Sequence, residues 1–128
     1  MFDFTEKVVL ITGSSRGIGR ETARLFAQCG ARVAVHYHSN RVAAEATLAA
    51  LPGAGHIVFQ GDVADPQAVA ALVDEVVAQM GGIDVLVNNA AVYEDHPLAE
   101  VSYDEWQASW RRVLDANLIG PANMCYGV

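Results

Sequence analysis

Short apolar runs alternate with longer amphipathic stretches along this chain. The runs of strand length lie at 7–12, 32–37, 56–60 and 83–88. The stretches with helical spacing of apolar residues lie at about 18–29, 41–51, 66–80 and from 103 onward. This order predicts a parallel sheet with helices on both faces. Because crossovers between parallel strands are right-handed, the strands should take the order 3-2-1-4, with a crevice beside the first strand where the order reverses.

Residues typical of helix ends stand between these segments. Gly30 closes the first helical stretch, and Asp65-Pro66 caps and opens the third. Gly81-Gly82 closes the third stretch. Ser102 followed by Glu105 predicts a capping box at the start of the fourth helix.

Composition fits one globular domain over residues 1–128. The chain is 52% hydrophobic with a mean hydropathy of +0.21, which is enough for a substantial core. A net charge of −7 with a single lysine, Lys7, argues against a nucleic-acid partner. No run approaches the ~20 apolar residues of a membrane span, and the amino end lacks the pattern of a signal peptide, so we expect a cytoplasmic protein without a membrane partner. Cys29 and Cys125 have neither disulfide-framework nor metal-ligand spacing, so no metal site is predicted.

A glycine-rich turn follows the first apolar run directly and leads into a helix. In this turn Gly13 permits a backbone conformation that other residues strain to adopt, and Gly17 lets a diphosphate approach the backbone. Gly19 lets the helix pack closely on the strand. The first N–H groups and the positive dipole end of that helix would then face the anion. The strand, turn and helix order therefore favours dinucleotide binding over an ordinary structural turn.

Four motifs in register resemble the short-chain dehydrogenase/reductase family along the whole chain. The motifs are Thr12-Gly13-Ser14-Ser15-Arg16-Gly17-Ile18-Gly19, Asp62-Val63, Asn88-Asn89-Ala90-Ala91 and Asn117. The glycine turn with Arg16 is most similar to the 3-oxoacyl-carrier-protein reductase type. Ala91 departs from the glycine that the family usually has there. The resemblance implies a Rossmann-like doubly wound α/β fold, of which this chain would be the amino-terminal half, lacking strands five to seven.

The resemblance also implies roles for the residues at the strand ends. Asp62 would accept the adenine amino group while the backbone N–H of Val63 meets a ring nitrogen. Asn89 would tie strand ends together and, with Ala90 and Ala91, line a ribose of the cofactor. The alternatives are a plain turn aspartate at Asp62 and a strand-terminating asparagine at Asn89. The complete predicted cofactor-binding set is Gly13, Ser14, Ser15, Arg16, Gly17, Ile18, Gly19, Tyr37, Ser39, Asn40, Arg41, Asp62, Val63, Asn89, Ala90 and Ala91.

The end of the second strand predicts NADP rather than NAD. Tyr37 stands where an NAD-binding protein would carry a carboxylate for the ribose hydroxyls, and residues 22–44 contain no acid. A carboxylate there would repel a 2′-phosphate, whereas nearby side chains can donate to it. These donors are Arg16, Ser39, Asn40 and Arg41. The alternative is that both arginines are solvated residues at helix starts.

Asn117 is the one predicted catalytic residue. It lies within the fourth helix shortly before Gly120-Pro121, where a kink is expected. The resemblance implies that its backbone carbonyl holds a water that passes protons to the catalytic lysine. The alternative is that Asn117 only interrupts the helix. The same helix is the family's usual pairing surface, so we expect a homo-oligomer with Trp106 and Trp110 as contacts.

The reaction of the family needs a tyrosine four residues before a lysine, so that the ammonium group lowers the pKa of the phenol. This sequence has no such pair, since its tyrosines are at 37, 93, 103 and 126 and its only lysine is Lys7. The catalytic serine would lie past Val128. We therefore predict the cofactor-binding portion of an NADP-dependent oxidoreductase acting on a small carbonyl or secondary alcohol, inactive as this chain alone and part of a longer protein. The alternative is a non-catalytic NADP-binding or assembly module.

Overall fold

The alternating segments form four strands and five helices in the computed structural model, which describes residues 2–128. The strands are β1 (Val8–Ile11), β2 (Arg32–Tyr37), β3 (Ile57–Gln60) and β4 (Val85–Val87). The helices are α1 (Gly17–Gln28), α2 (Arg41–Ala50), α3 (Pro66–Met80), α4 (Tyr103–Leu114) and α5 (Gly120–Gly127). A π-helical segment, Asp115–Ile119, joins α4 to α5 without a break.

All pairings in the sheet are parallel, and the strand order is β3-β2-β1-β4. The predicted order 3-2-1-4 is therefore confirmed. Val9 of β1 is level with Val33 on one side and Val85 on the other, so the strands end at one common edge. Residues that follow β1 through β4 are consequently brought together at that carboxyl edge.

Each face of the sheet has its own buried core, as expected for strands covered on both sides. On one face, Leu10 and Phe59 pack with α3 and with Met124 of α5. On the other, Val9 and Ile11 pack with small residues of α1 and α2, namely Ala23, Ala27 and Ala44. The alanines let these two helices approach the sheet closely. Burying a side chain such as Phe59 contributes about 1.5–3 kcal/mol.

The predicted helix ends are confirmed. The Asp65 side chain accepts from the Gln67 N–H at 2.9 Å, and Gly81 ends α3 at φ +88°. At the start of α4, the Ser102 Oγ accepts from the Glu105 N–H while the Glu105 carboxylate accepts from the Ser102 N–H. Such reciprocal bonds satisfy donors that a helix start leaves without partners.

The irregularity predicted near Asn117 is present as the π-helical turn, in a helix that otherwise runs on to Gly127. At Gly120, the first residue after the π-helical segment, the helix backbone lies against the turn after β3. A Cβ atom at Gly120 would overlap the carbonyl oxygen of Val63. None of the helices within 2–128 combines the length and apolar character needed to cross a bilayer.

Candidate nucleotide-binding site

A cleft of about 780 Å³ opens at the carboxyl edge of the sheet, where the strand order reverses between β1 and β4. Turns after all four strands line it, together with parts of α4 and the π-helical segment. The predicted residues on its wall are Gly13, Ser15, Arg16, Gly17, Ile18, Tyr37, Ser39, Asn40, Asp62, Val63, Asn89, Ala90 and Ala91. The predicted residues that do not line it are Ser14, Gly19, Arg41 and Asn117.

The glycine turn adopts the left-handed backbone conformation that its glycines predict. Gly13 and Gly17 are left-handed, with φ of +65° and +55°. A Cβ atom at Gly17 would meet nothing within 4 Å, so the cleft side of this residue is open. A Cβ atom at Gly19 would lie 2.5 Å from both the Gly13 carbonyl oxygen and the Asn89 Nδ2. Gly19 therefore serves close packing, as predicted.

The amino end of α1 faces this cleft without a side-chain cap. Arg16 is the N-cap residue, in an extended conformation, and makes no capping hydrogen bond. The first turn of α1 carries no acidic residue. Its first N–H groups, at Gly17, Ile18 and Gly19, therefore lack partners within the helix, and the positive end of the helix dipole is not neutralised. This arrangement can bind an anion.

Arg20 supports the outer side of the glycine turn. Its Nη2 donates to the Ser15 carbonyl at 2.8 Å and its Nε donates to the Thr47 Oγ1 at 2.9 Å. The Thr47 hydroxyl donates to the same Ser15 carbonyl at 3.0 Å. Helix α2 thus supports the glycine turn through Thr47. The spacing of these residues along the chain did not predict this contact.

Asn89 ties the end of β4 to the turn after β1. Its Nδ2 donates to the carbonyls of Thr12 and Gly13 at 2.9 and 3.1 Å. The N–H groups of Asn89 and Ala90 both donate to the Thr12 Oγ1 at 3.0 Å. These contacts are the strand tie that the family resemblance implied for Asn89, and they leave its neighbours facing the cleft.

Asp62 forms the turn of its alternative interpretation and also lines the cleft. Its Oδ1 accepts from the Ala64 N–H at 2.9 Å, which is the bond of an aspartate in a turn. Its Oδ2 lies 3.8 Å from the Nε2 of His38, across the cleft wall. One carboxylate oxygen shapes the turn while the other faces a ligand-sized space.

The residues after β2 do not all point into the cleft. The Asn40 side chain caps α2 by accepting from the Ala43 N–H at 2.9 Å. Arg41 lies outside the lining, and its Nε donates to the Glu45 Oε1 at 2.7 Å. This hydrogen bond is the main reason why the pKa of the Arg41 guanidinium is raised.

Asn117 holds the loop after β4 rather than lining the cleft. Its Oδ1 accepts from the Val92 N–H and its Nδ2 donates to the Val92 carbonyl, both at 2.8 Å. This pair of bonds fastens the loop to the π-helical turn. The sequence predicted a role for the backbone carbonyl of Asn117 and did not predict this use of its side chain.

An ion pair between Glu94 and Arg112 also lines the cleft, and sequence reasoning did not find it. The Arg112 Nε and Nη2 donate to the two Glu94 oxygens at 2.8 and 2.7 Å. The hydrogen bonds from Arg112 and then from Ser109 lower the pKa of Glu94 to about 2. Both partners are partly exposed, so the pair adds little to stability, but it fixes the loop on α4. Spacing of 18 residues gave no signal for it.

His36 is the buried polar residue that the sequence gave no reason to single out. It is 1% exposed, its Nδ1 accepts from the Gly13 N–H at 3.0 Å, and its Nε2 lies 3.0 Å from the Gly61 carbonyl oxygen. Since a carbonyl only accepts, the proton of the neutral ring is assigned to Nε2. Burial lowers the pKa of His36 to about 4. Its backbone also exchanges hydrogen bonds with Ser14, which is itself buried.

Within the described residues, no group of three or more His, Cys, Asp or Glu side chains could hold a metal ion. The site combines backbone amides and the hydroxyls and amides of side chains with the charged side chains of Arg16, Asp62 and Asp115 and the Glu94–Arg112 pair. It suits a phosphate-containing ligand with an extended shape.

Fold and site together define a class of protein, a Rossmann-like α/β domain with a glycine turn at the switch point of its sheet. A family model described as short chain dehydrogenase matches residues 7–128. The chain belongs to this family.

Among its relatives, a Staphylococcus aureus 3-oxoacyl-[acyl-carrier-protein] reductase FabG is 41% identical over 119 residues, which is 91% of this chain and 47% of that protein. A 3beta-hydroxysteroid dehydrogenase 1 from Eggerthella lenta is 38% identical over 120 residues, or 92% of this chain and 44% of its own length. A short chain dehydrogenase from Burkholderia cenocepacia, solved in complex with NADP, matches with a TM-score of 0.86 and 34% identity, covering 97% of this chain and 50% of its own. The chain spans about half the length of the curated relatives it matches.

Replacing Gly19 with alanine should destabilise the fold by about 2–3 kcal/mol, because the added methyl group has no space between the glycine turn and Asn89. Gly81→Ala is the control, since Gly81 is left-handed but open to solvent and should cost only about 1 kcal/mol. Urea unfolding of both variants measures the difference. Equal losses would contradict the close packing at Gly19.

The buried His36 predicts acid sensitivity. Its folded pKa of about 4 lies below the ordinary 6.5, so its stabilising contribution is complete above pH 6.5 and is lost as the pH falls toward 4. Of the charged groups near the ring, His38 lowers this pKa and Asp62 raises it. Between pH 7.5 and 5 the protein should lose about 2 kcal/mol of unfolding free energy more than a His36→Asn variant. Parallel pH dependences in urea unfolding of the two proteins would show that His36 does not titrate as a buried group.

Proposed function

We propose that this chain is the cofactor-binding portion of an NADP-dependent oxidoreductase that transfers a hydride between nicotinamide and a carbonyl or secondary alcohol. The observation that carries this proposal is the uncapped amino end of α1, which the left-handed glycine turn presents to a cleft at the switch point of the sheet. The S. aureus relative is named as a reductase, and the B. cenocepacia relative is in complex with NADP.

The proposed arrangement runs along the carboxyl edge of the sheet. The diphosphate lies on the amides from Ser15 to Ile18, where the turn leaves room for it. The adenine lies on the turn of Asp62 and Val63, and the free Oδ2 of Asp62 accepts from the amino group. A ribose lies against Ala90 and Ala91, which the Asn89 contacts hold at the lip of the cleft.

Charge around the end of β2 supports NADP over NAD. Residues 37–40 contribute no carboxylate of their own to the cleft, whereas a carboxylate at ~4 Å from a phosphate would cost about 4 kcal/mol per pair of unit charges at intermediate dielectric. Arg16 and Ser39 line the cleft as donors to a 2′-phosphate. Arg41 stands one residue beyond Asn40, and its guanidinium would have to turn from Glu45 to contribute.

For the reaction itself, this chain contributes positioning. Bound NADP(H) would supply or accept the hydride. Asn117 holds the loop after β4 through Val92, and we propose that it also supports the proton relay of the complete enzyme. With Lys7 as its only lysine and no tyrosine four residues before it, the chain alone should not turn over a substrate.

The missing Tyr-x-x-x-Lys pair also favours the second candidate, a non-catalytic NADP-binding or assembly module. The intact mass of the native protein separates the two candidates. Residues beyond Val128 that include such a pair favour the oxidoreductase, and a native chain without them favours the module.

Calorimetric titration tests the cofactor proposal. We expect NADPH to bind at least about tenfold more tightly than NADH. Arg41→Ala should lower the affinity for NADPH about fivefold and the affinity for NADH less than about twofold. Arg24→Ala is the matched control, because Arg24 is also an exposed helical arginine paired with a glutamate, Glu21, and lies outside the cleft. Equal effects of Arg41→Ala on both coenzymes would remove the 2′-phosphate role of Arg41, and absence of heat with either coenzyme would remove the proposed function.

We also propose that the protein is a homo-oligomer paired through α4 and the π-helical segment. Trp106 stacks on Tyr103 and lies next to Trp110. Trp110 is 44% exposed, and the apolar side chains of Leu114 and Leu118 continue the same surface at 42% and 60% exposed. An apolar stripe of this kind on a helix is typical of an interface between subunits.

Introducing charge on this stripe should separate the subunits. We expect Trp110→Glu to reduce the mass measured by light scattering to that of one chain, because a carboxylate buried at an interface without a partner is strongly unfavourable. Val42→Glu is the control, since Val42 is 77% exposed on α2, away from the stripe. A monomeric starting protein would contradict the proposal.

A further inference from the structure

Two separate turns meet at one side chain of β2. Because β2 lies between β1 and β3, a residue at its carboxyl end is placed to reach the turns that follow both neighbours. His36 does so, with the Gly13 N–H on its Nδ1 and the Gly61 carbonyl on its Nε2, each at 3.0 Å. Gly13 belongs to the glycine turn, and Gly61 precedes Asp62 directly.

We propose that His36 is a positioning residue that couples these two turns, so that the diphosphate and adenosine halves of a dinucleotide are bound in register. The inference rests on the proposed function for its ligand, but the link between the turns is a property of the protein alone. His36 itself would not touch the cofactor halves through its ring nitrogens, since both are occupied by backbone groups.

The glycine turn depends on this link because its first residue is held entirely by side chains from other elements. The N–H of Gly13 donates to His36, and its carbonyl accepts from the Nδ2 of Asn89 at 3.1 Å. The next residue, Ser14, adds two bonds to the His36 backbone: its N–H donates to the His36 carbonyl at 3.0 Å, and its Oγ accepts from the His36 N–H at 2.9 Å. The two side chains act together with these bonds to set the direction in which the following amides point toward the cleft.

The two hydrogen bonds of the buried ring require its neutral form, with Nδ1 as acceptor and Nε2 as donor. His36 as a whole residue is 1% exposed, so losing a partner of the ring leaves a buried polar group without a hydrogen bond. A proton added to Nδ1 would face the Gly13 N–H and remove its acceptor. The pKa of His36, lowered to about 4 by burial, keeps the ring neutral at ordinary pH.

Two amide variants divide the link into its halves. In His36→Asn, the side-chain oxygen replaces Nδ1 and can accept from the Gly13 N–H, but nothing reaches the Gly61 carbonyl. In His36→Gln, the longer amide places a donor where Nε2 was, and the Gly13 N–H loses its acceptor. Each variant thus keeps one contact and serves as the control for the other.

The first measurement needs no ligand. In ¹⁵N NMR spectra of the free protein, we expect Nε2 of His36 to carry the proton and Nδ1 to be an acceptor. His36→Gln should raise amide exchange at Gly13 with little change at Asp62, and His36→Asn should shift the Asp62 region while Gly13 stays protected. A ring protonated on Nδ1, or equal changes at both turns in both variants, would overturn the coupling.

The second measurement uses ligand fragments. Adenosine 2′-monophosphate probes the turn at Asp62, inorganic pyrophosphate probes the glycine turn, and NADPH spans both. We expect His36→Asn to lower the affinity for adenosine 2′-monophosphate about fivefold and the affinity for pyrophosphate less than about twofold, with the reverse for His36→Gln. The affinity for NADPH should fall about fivefold or more in both variants.

A merely structural role for His36 would lower the affinity for all three ligands equally and would overturn the inference. Failure of the original protein to bind NADPH would instead overturn the proposed function, and the NMR comparison would still decide whether His36 couples the turns.

Discussion

The close approach of the glycine turn to the end of β4 is the constraint on which the cleft depends. A Cβ atom at Gly13 would lie 2.9 Å from the Cα of Ala90, and one at Gly19 would lie 2.5 Å from the Asn89 Nδ2. No side chain at Gly13 or Gly19 fits between these segments. The two glycines let α1 lie close to the sheet with its amino end at the crevice, and Asn89 and Thr12 then fasten the contact with side-chain hydrogen bonds. Close packing and the exposure of the amino end of α1 to the cleft are therefore two results of one arrangement.

The elements of the fold could be predicted because their causes are local. The alternation of apolar runs with amphipathic stretches predicted the parallel sheet. The capping residues Asp65 and Ser102 predicted helix starts because their hydrogen bonds reach no more than three residues along the chain. The glycine turn was equally accessible, since its conformation is a property of Gly13 and Gly17 themselves. The strand order followed from the handedness of crossovers.

The parts of the site that could not be predicted depend on partners distant in the chain. His36 is separated from Gly61 by 25 residues and Asn117 from Val92 by the same number, and nothing in the spacing pairs them. Arg41 has a near partner instead. Its predicted role as a donor to a 2′-phosphate rests on its being a cation near the end of β2, and in the structure its guanidinium is also paired with Glu45, one helical turn away. A charge on a helix meets its own helix neighbours first, and a sequence motif does not record that competition.

The start of α1 adds a fixed dipole to the charged side chains of the cleft. The protein carries a net charge of −7, and on the cleft wall Arg112 is paired with Glu94 beside Arg16, Asp62 and Asp115. An acidic protein can still favour a phosphate at this position because the amides at the start of α1 are fixed in direction and cost no reorganisation when the anion arrives. Fixing them requires that the peptide planes of the turn cannot rotate. The buried, neutral ring of His36 on one side of Gly13 and the amide of Asn89 on the other supply that restraint without adding a charge to the site.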